Sequence, residues 1–129
     1  MGLTVLITSE EECWPAATVL GDQCERDLGE VSVEANIRRL QVGKEPAAHR
    51  EAIYTTLQKL YHVKHDTLFI VCLMHGPAAD EYRRVHDFCA STKPMIQNVQ
   101  VVTSLAEHAD AGLLMRNLAR KITNVASRH

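Results

Sequence analysis

The chain has 129 residues, of which 46% are hydrophobic and only 5% aromatic, and its net charge is −2. That length suits one domain around a single, mostly aliphatic core. The slightly acidic balance gives the chain as a whole no basic footprint and so argues against a protein that tracks along a nucleic-acid backbone, which usually shows one. Any contact with nucleic acid is then expected to be local, at an end or a single phosphate.

In chain order, Leu3–Thr8 (LTVLIT) is a β-branched apolar run and reads as the first strand. Ser9-x-x-Glu12 has the spacing of a capping box, which predicts a helix opening there. Cys13, Ala17, Leu20, Cys24 and Leu28 give that helix one buried face, with Pro15 in its first turn and Gly29 as its stop. Val31, Val33, Ala35 and Ile37 alternate with polar residues, so Val31–Ile37 is expected as an edge strand with one wet face. Gly43-Lys44-Glu45-Pro46 turns the chain into a helix whose inward residues are Ile53, Leu57, Leu60 and Tyr61.

The run Thr67–Met74 is unbroken apolar sequence, and Leu68–Leu73 is expected as a central strand covered on both faces. His75-Gly76-Pro77 and a helix-like DEYRRVHDFC follow, then a strand at Ile96–Val102. The last helix carries a stripe of Ala111, Leu114, Met115, Leu118, Ala119, Ile122 and Val125. Strand and helix alternating in this way predict an α/β, Rossmann-like fold: a four-stranded, mostly parallel sheet with helices on both faces. No repeat or interior linker interrupts residues 1–129, which are expected to be one domain taken from a longer multidomain protein.

Cys13, Cys24, Cys72 and Cys89 form no CxxC pair and no zinc spacing, and read as buried thiols of a reducing, cytoplasmic compartment. No apolar run approaches the ~20 residues of a membrane span. The GxGxxG and GxxxxGK[ST] phosphate loops are absent, so no nucleotide cofactor is implied. His62 and His65 lack a third ligand nearby in sequence, and no metal is expected. A thiol in mid-strand, as at Cys72, is ordinarily inert whatever the proximity of His75.

Three residues remain as candidates to hold a phosphate: Arg83, Gln97 and Lys121. Each has an ordinary reading, Arg83 as a solvated charge near Asp80 or Asp87 and Lys121 as a snorkelling residue beside a core stripe. Together they make sense around one anion. The carboxyl ends of parallel strands and the helix starts that follow share one rim, which is expected to be where the anion binds.

The order of parts resembles the MID domain of Argonaute proteins. The resemblance rests on Arg84-Val85-His86-Asp87, on Gln97-Asn98-Val99-Gln100 and on Asn117-Leu118-Ala119-Arg120-Lys121-Ile122. It covers the whole chain in element order and the last half in residues. It implies a non-enzymatic domain that anchors the 5′-phosphorylated nucleotide of a small guide RNA or DNA beside the other domains of a silencing protein. It also assigns the phosphate to Arg83, Gln97 and Lys121, and the reading of the first base to the loop His75, Gly76, Pro77, Ala78 and Ala79. The chain departs from the family pattern twice. Ala79 stands where an aromatic residue stacks on the base, with Tyr82 three residues on, and Val125 stands where a second lysine is expected. Those departures keep a rival open, a protein-interaction module that has lost guide binding. A small flavodoxin-like nucleotide enzyme is the other rival, weakened by the lack of a nucleophile, base or phosphate loop.

Overall fold

The computed structural model describes residues 3–43, 45–60, 67–74, 87, 96–102 and 110–127. Strand β1 (Leu3–Glu10) leads through a 3-10 turn (Glu11–Cys13) into helix α1 (Trp14–Glu30). Strand β2 (Ala35–Val42), helix α2 (Pro46–Leu60) and strands β3 (Thr67–Leu73) and β4 (Ile96–Val102) follow, then helix α3 (Ala111–Ala126). The strands lie in the order β2-β1-β3-β4 and every neighbouring pair is parallel. The result is a mixed α/β, roughly Rossmann-like layer structure.

Period two along the strands sorts their side chains onto two faces. Leu3, Val5 and Ile7 of β1 and Phe69, Val71 and Leu73 of β3 enter one core with Ala17, Leu20, Cys24 and Leu28 of α1. Met115, Leu118, Ala119 and Ile122 of α3 complete it, with Leu114 and Val125 packed at its border. The expected apolar stripes of both helices are therefore the buried ones. Helix α2 covers the opposite face, where Thr8 of β1 meets His49. Ile53 is buried there as expected, whereas Tyr61 lies outside the described residues.

Three local expectations are corrected. Ser9 does not cap a helix: it is still in β1, paired with Gln41 and Leu73, and its hydroxyl donates to the Glu10 carbonyl at 2.8 Å. Strand pairing on both sides holds the chain extended for two residues past Thr8. Gly29 lies one residue from the end of α1, near it as expected, but the stop is made at Ser32. The helix continues to Glu30, and Ser32 takes the left-handed conformation, with φ 58°. The Ser32 N–H then bonds to Gly29 O at 3.1 Å and the Val33 N–H to Leu28 O at 2.9 Å, a Schellman closure. That closure uses up Val31–Val33, so the edge strand expected at Val31–Ile37 starts instead at Ala35 and runs to Val42. Its place at the sheet edge is as expected.

Arg39 ties that edge to α1. Its guanidinium lies over buried Gly21, donates to Asp22 at 2.6 Å, and occupies the space any side chain at position 21 would need.

Candidate phosphate-binding site

Parallel strands put all their carboxyl ends on one edge of the sheet, and the candidate residues can be placed against that edge. Met74, just past β3, is buried at 4% exposure on the carboxyl side. The loop residues His75, Gly76, Pro77, Ala78 and Ala79, together with Tyr82 and Arg83, lie outside the described residues. Gln97 is the second residue of β4, at its amino end. Ile96 pairs with Leu68 and Asn98 with Phe69, so the register shifts by one residue at Gln97, as it does at a β-bulge. Bulges locally turn a strand and occur beside functional sites more often than elsewhere.

Lys121 is exposed on α3 and borders a surface depression of about 450 Å³ with Asn117, Arg120, Asn124 and Val125. Asp110 fixes the start of this helix, accepting the Leu113 N–H at 2.9 Å as its N-cap. At about 1.5 Å per residue, Lys121 sits roughly 15 Å beyond Ala111. Its neighbours Arg120 and Asn124, with Arg116 and Thr123, share a second depression with Gln23, Asp27, Glu30 and Val31. Those α1 residues belong to the half of the helix that returns to the start of β2. The middle and end of α3 therefore lie toward the amino edge of the sheet.

This corrects the expected rim. Gln97 and Lys121 both lie toward the amino edge, because one opens its strand and the other is two to three turns into its helix. A shared carboxyl rim suits residues in the first turn after a strand, and neither of these is one.

The charge around Lys121 is one-sided. Helix α3 carries Arg116, Arg120 and Lys121 and no carboxylate between Ala111 and Ala126. Among the described residues none of these three cations forms an ion pair, and Asp27 and Glu30 border only the side shared with Arg116 and Arg120. Asn117 and Asn124 add neutral donors beside Lys121. The spacing of 117, 120, 121 and 124 places all four on neighbouring turns of one helix face. Asn117 and Arg120 belong to the sequence motif around Lys121, and the i, i+3, i+4 spacing adds them and Asn124 to the surface beside it. Val125 is half-buried against the core, so the position expected to hold a second lysine is used for packing.

The described thiols are buried, which disfavours the reactive thiolate. These are Cys13, Cys24 and Cys72, and Cys89 lies outside the described residues. Burial pushes the Cys13 thiol up to about 11 and Cys24 up to about 12, with Glu10 and Asp27 respectively reinforcing the effect. Among the described residues no group of three or more His, Cys, Asp or Glu could hold a metal, and no helix is long and apolar enough to cross a membrane.

Parallel strands wrapped by helices define a broad architectural class, and comparison with solved structures narrows it. The fold is similar to that in a crystal structure of Drosophila Piwi, with a TM-score of 0.63 over 93% of this chain at 12% identity. The match spans 16% of the Piwi chain, and at that identity it is a likeness of fold. No family model and no curated protein sequence matches the chain.

Proposed function

We propose that this is an Argonaute-like MID domain that binds the 5′-phosphorylated terminal nucleotide of a small guide RNA or DNA. In this reading it is a binding domain without catalysis of its own, working beside other domains of a larger protein. The observation that carries it is the fold likeness to Piwi over 93% of the chain, because the residue motifs had pointed to the same family independently. The placement of Gln97 at a register shift and of Lys121 by a depression lined by no carboxylate, both toward the same edge, supports it further. Lys121 supplies a point charge, Gln97 a neutral donor, and Arg83 a bidentate fork.

Titration of the whole chain with a nucleoside 5′-monophosphate and with the matching nucleoside tests the reading. The monophosphate should bind at least tenfold more tightly, and Lys121→Ala should remove about tenfold of that, since a charge-assisted hydrogen bond is worth roughly 1.5–3 kcal/mol. Equal affinity for the two ligands would favour the protein-interaction module, for which the packed Val125 is the supporting observation. Because Ala79 lacks a stacking ring, Ala79→Tyr should tighten monophosphate binding, a stacked base being worth ~1–3 kcal/mol. The reverse pattern, with Tyr82→Ala abolishing binding and Ala79→Tyr silent, would shift the register assumed for this helix.

A further inference from the structure

The groove between β2 and α2 is lined by none of the residues assigned above to the phosphate. Among the described strands β2 has a neighbour on one side only, β1, so alternate residues present backbone N–H and C=O groups outward. On the face turned to α2, Arg38, Leu40 and Val42 follow at strand period and remain half-buried. Opposite them, Ala48, Ala52 and Thr55 are small, and they leave a groove of about 400 Å³ open along the strand.

The groove has a polarity. Helix α2 runs back from the end of β2 toward the amino edge, so Lys59 and Arg38 bring two cations to that end of it. Glu51 is the one carboxylate among the lining residues. Leu40, Val42 and Ala48 make the other end apolar.

We propose that this edge and groove bind an extended segment of a partner protein, added as a further strand beside β2. Its apolar side chains would cover Leu40 and Val42, and an acidic side chain would sit by Arg38 and Lys59. A row of outward backbone groups can be matched along its length only by another extended backbone. The side chains of such a strand fall alternately on one face, at the period of Arg38, Leu40 and Val42. A phosphate chain would leave the apolar half of the groove uncovered. The two cations also select, because a neutral or basic strand meets them unpaired.

The test is an amide NMR titration of the whole chain with a blocked Val-Thr-Val-Thr-Glu peptide and its reversed sequence. One of the two should shift β2 and α2 amides and weaken about fivefold when its Glu is changed to Lys, as for a partly solvated charge pair. N-methylation of the alternate amides that face β2 should abolish binding, while methylation of the others leaves it unchanged. Lys59→Glu, an exposed change, should reverse the Glu-over-Lys preference, as should Arg38→Glu. Absence of binding, shifts elsewhere, or indifference to N-methylation would overturn the proposal. A sedimenting dimer that pairs through β2 and resists the peptide would also overturn it, assigning the edge to a second copy.

Discussion

Against α1 and α3 the sheet presents Leu3, Val5, Ile7, Phe69, Val71 and Leu73, and the helices answer with Leu20, Leu28, Met115 and Ile122. Against α2 the same β1 strand presents Thr4, Leu6 and Thr8, and α2 brings His49, Ile53 and Thr56, all buried. The first interface needs only shape, because hydrocarbon contact has no direction. The second needs partners as well, since each buried polar atom must find one or cost free energy. Thr8 and His49 meet at 2.8 Å and Thr56 donates to the Ala52 carbonyl at 2.9 Å. Among the described residues, the Nε2 of His49 and the Nε of Arg50 on α2 are buried with no partner. So is the Nε of Arg39, which lies over Gly21 at the margin of the apolar face. Helix α2 is therefore the layer held by geometry and protonation state, and it is also the layer beside the open groove.

The largest expected effect lies on the apolar side. Phe69, 1% exposed, should cost roughly 3–5 kcal/mol when changed to Ala, read from urea unfolding. A cost below about 1 kcal/mol would mean that the layer is loosely packed, and the contrast between the faces would be lost.

On the polar side the single and double variants should part company. Thr8→Val leaves one His49 nitrogen facing an apolar group and should cost about 1–3 kcal/mol. Adding His49→Leu removes both partners at once and should recover most of that loss. A double variant less stable than either single would show that the pair is held by packing, as on the other face.

Protonation gives a third way to separate the faces. Burial holds His49 neutral, lowering its pKa from 6.5 to about 4. The unfolded chain takes up this proton near pH 6.5 and the folded one only near pH 4. Between those values the unfolded state binds more protons, so stability falls as pH falls through that window. His49→Leu should flatten this part of the curve, measured as urea midpoints at about pH 7 and pH 5. Carboxylates titrate in both proteins and drop out of the difference. An unchanged slope would remove His49 as the cause.

The apolar face was legible in the sequence because it is periodic. Cys13, Ala17, Leu20, Cys24 and Leu28 mark one helix face, and the α3 stripe marks another. The polar face was not, since Thr8 and His49 are far apart in sequence and neither carries a pattern. Turn chemistry misled where tertiary pairing overrode a local motif, as at Ser9, which two neighbouring strands keep extended. In the candidate site, the sequence offered residue types and the structure adds where two of them, Gln97 and Lys121, lie. The sequence shows Gln97 and Lys121 as a plausible pair, but strand direction and the depth of a residue along its helix decide which edge they reach.

The smallest effects concern how the apolar layer ends. Gly29 lies within α1, where an added methyl group would meet nothing within 4 Å, and Ser32 bears the φ of 58° that glycine tolerates best. A left-handed L-residue costs roughly 1–2 kcal/mol, part of which a glycine there returns as extra freedom of the unfolded chain. Ser32→Gly should therefore stabilise by about 0.5–1 kcal/mol, and Gly29→Ala by about the same through helix propensity. Both should raise the urea midpoint without altering the pH slope between about 4 and 6.5, because neither touches His49. A change in that slope would mean that the end of α1 influences, from across the sheet, the burial that sets the pKa of His49. A loss of stability on Ser32→Gly would mean instead that the serine hydroxyl contributes to the cap more than its backbone conformation costs.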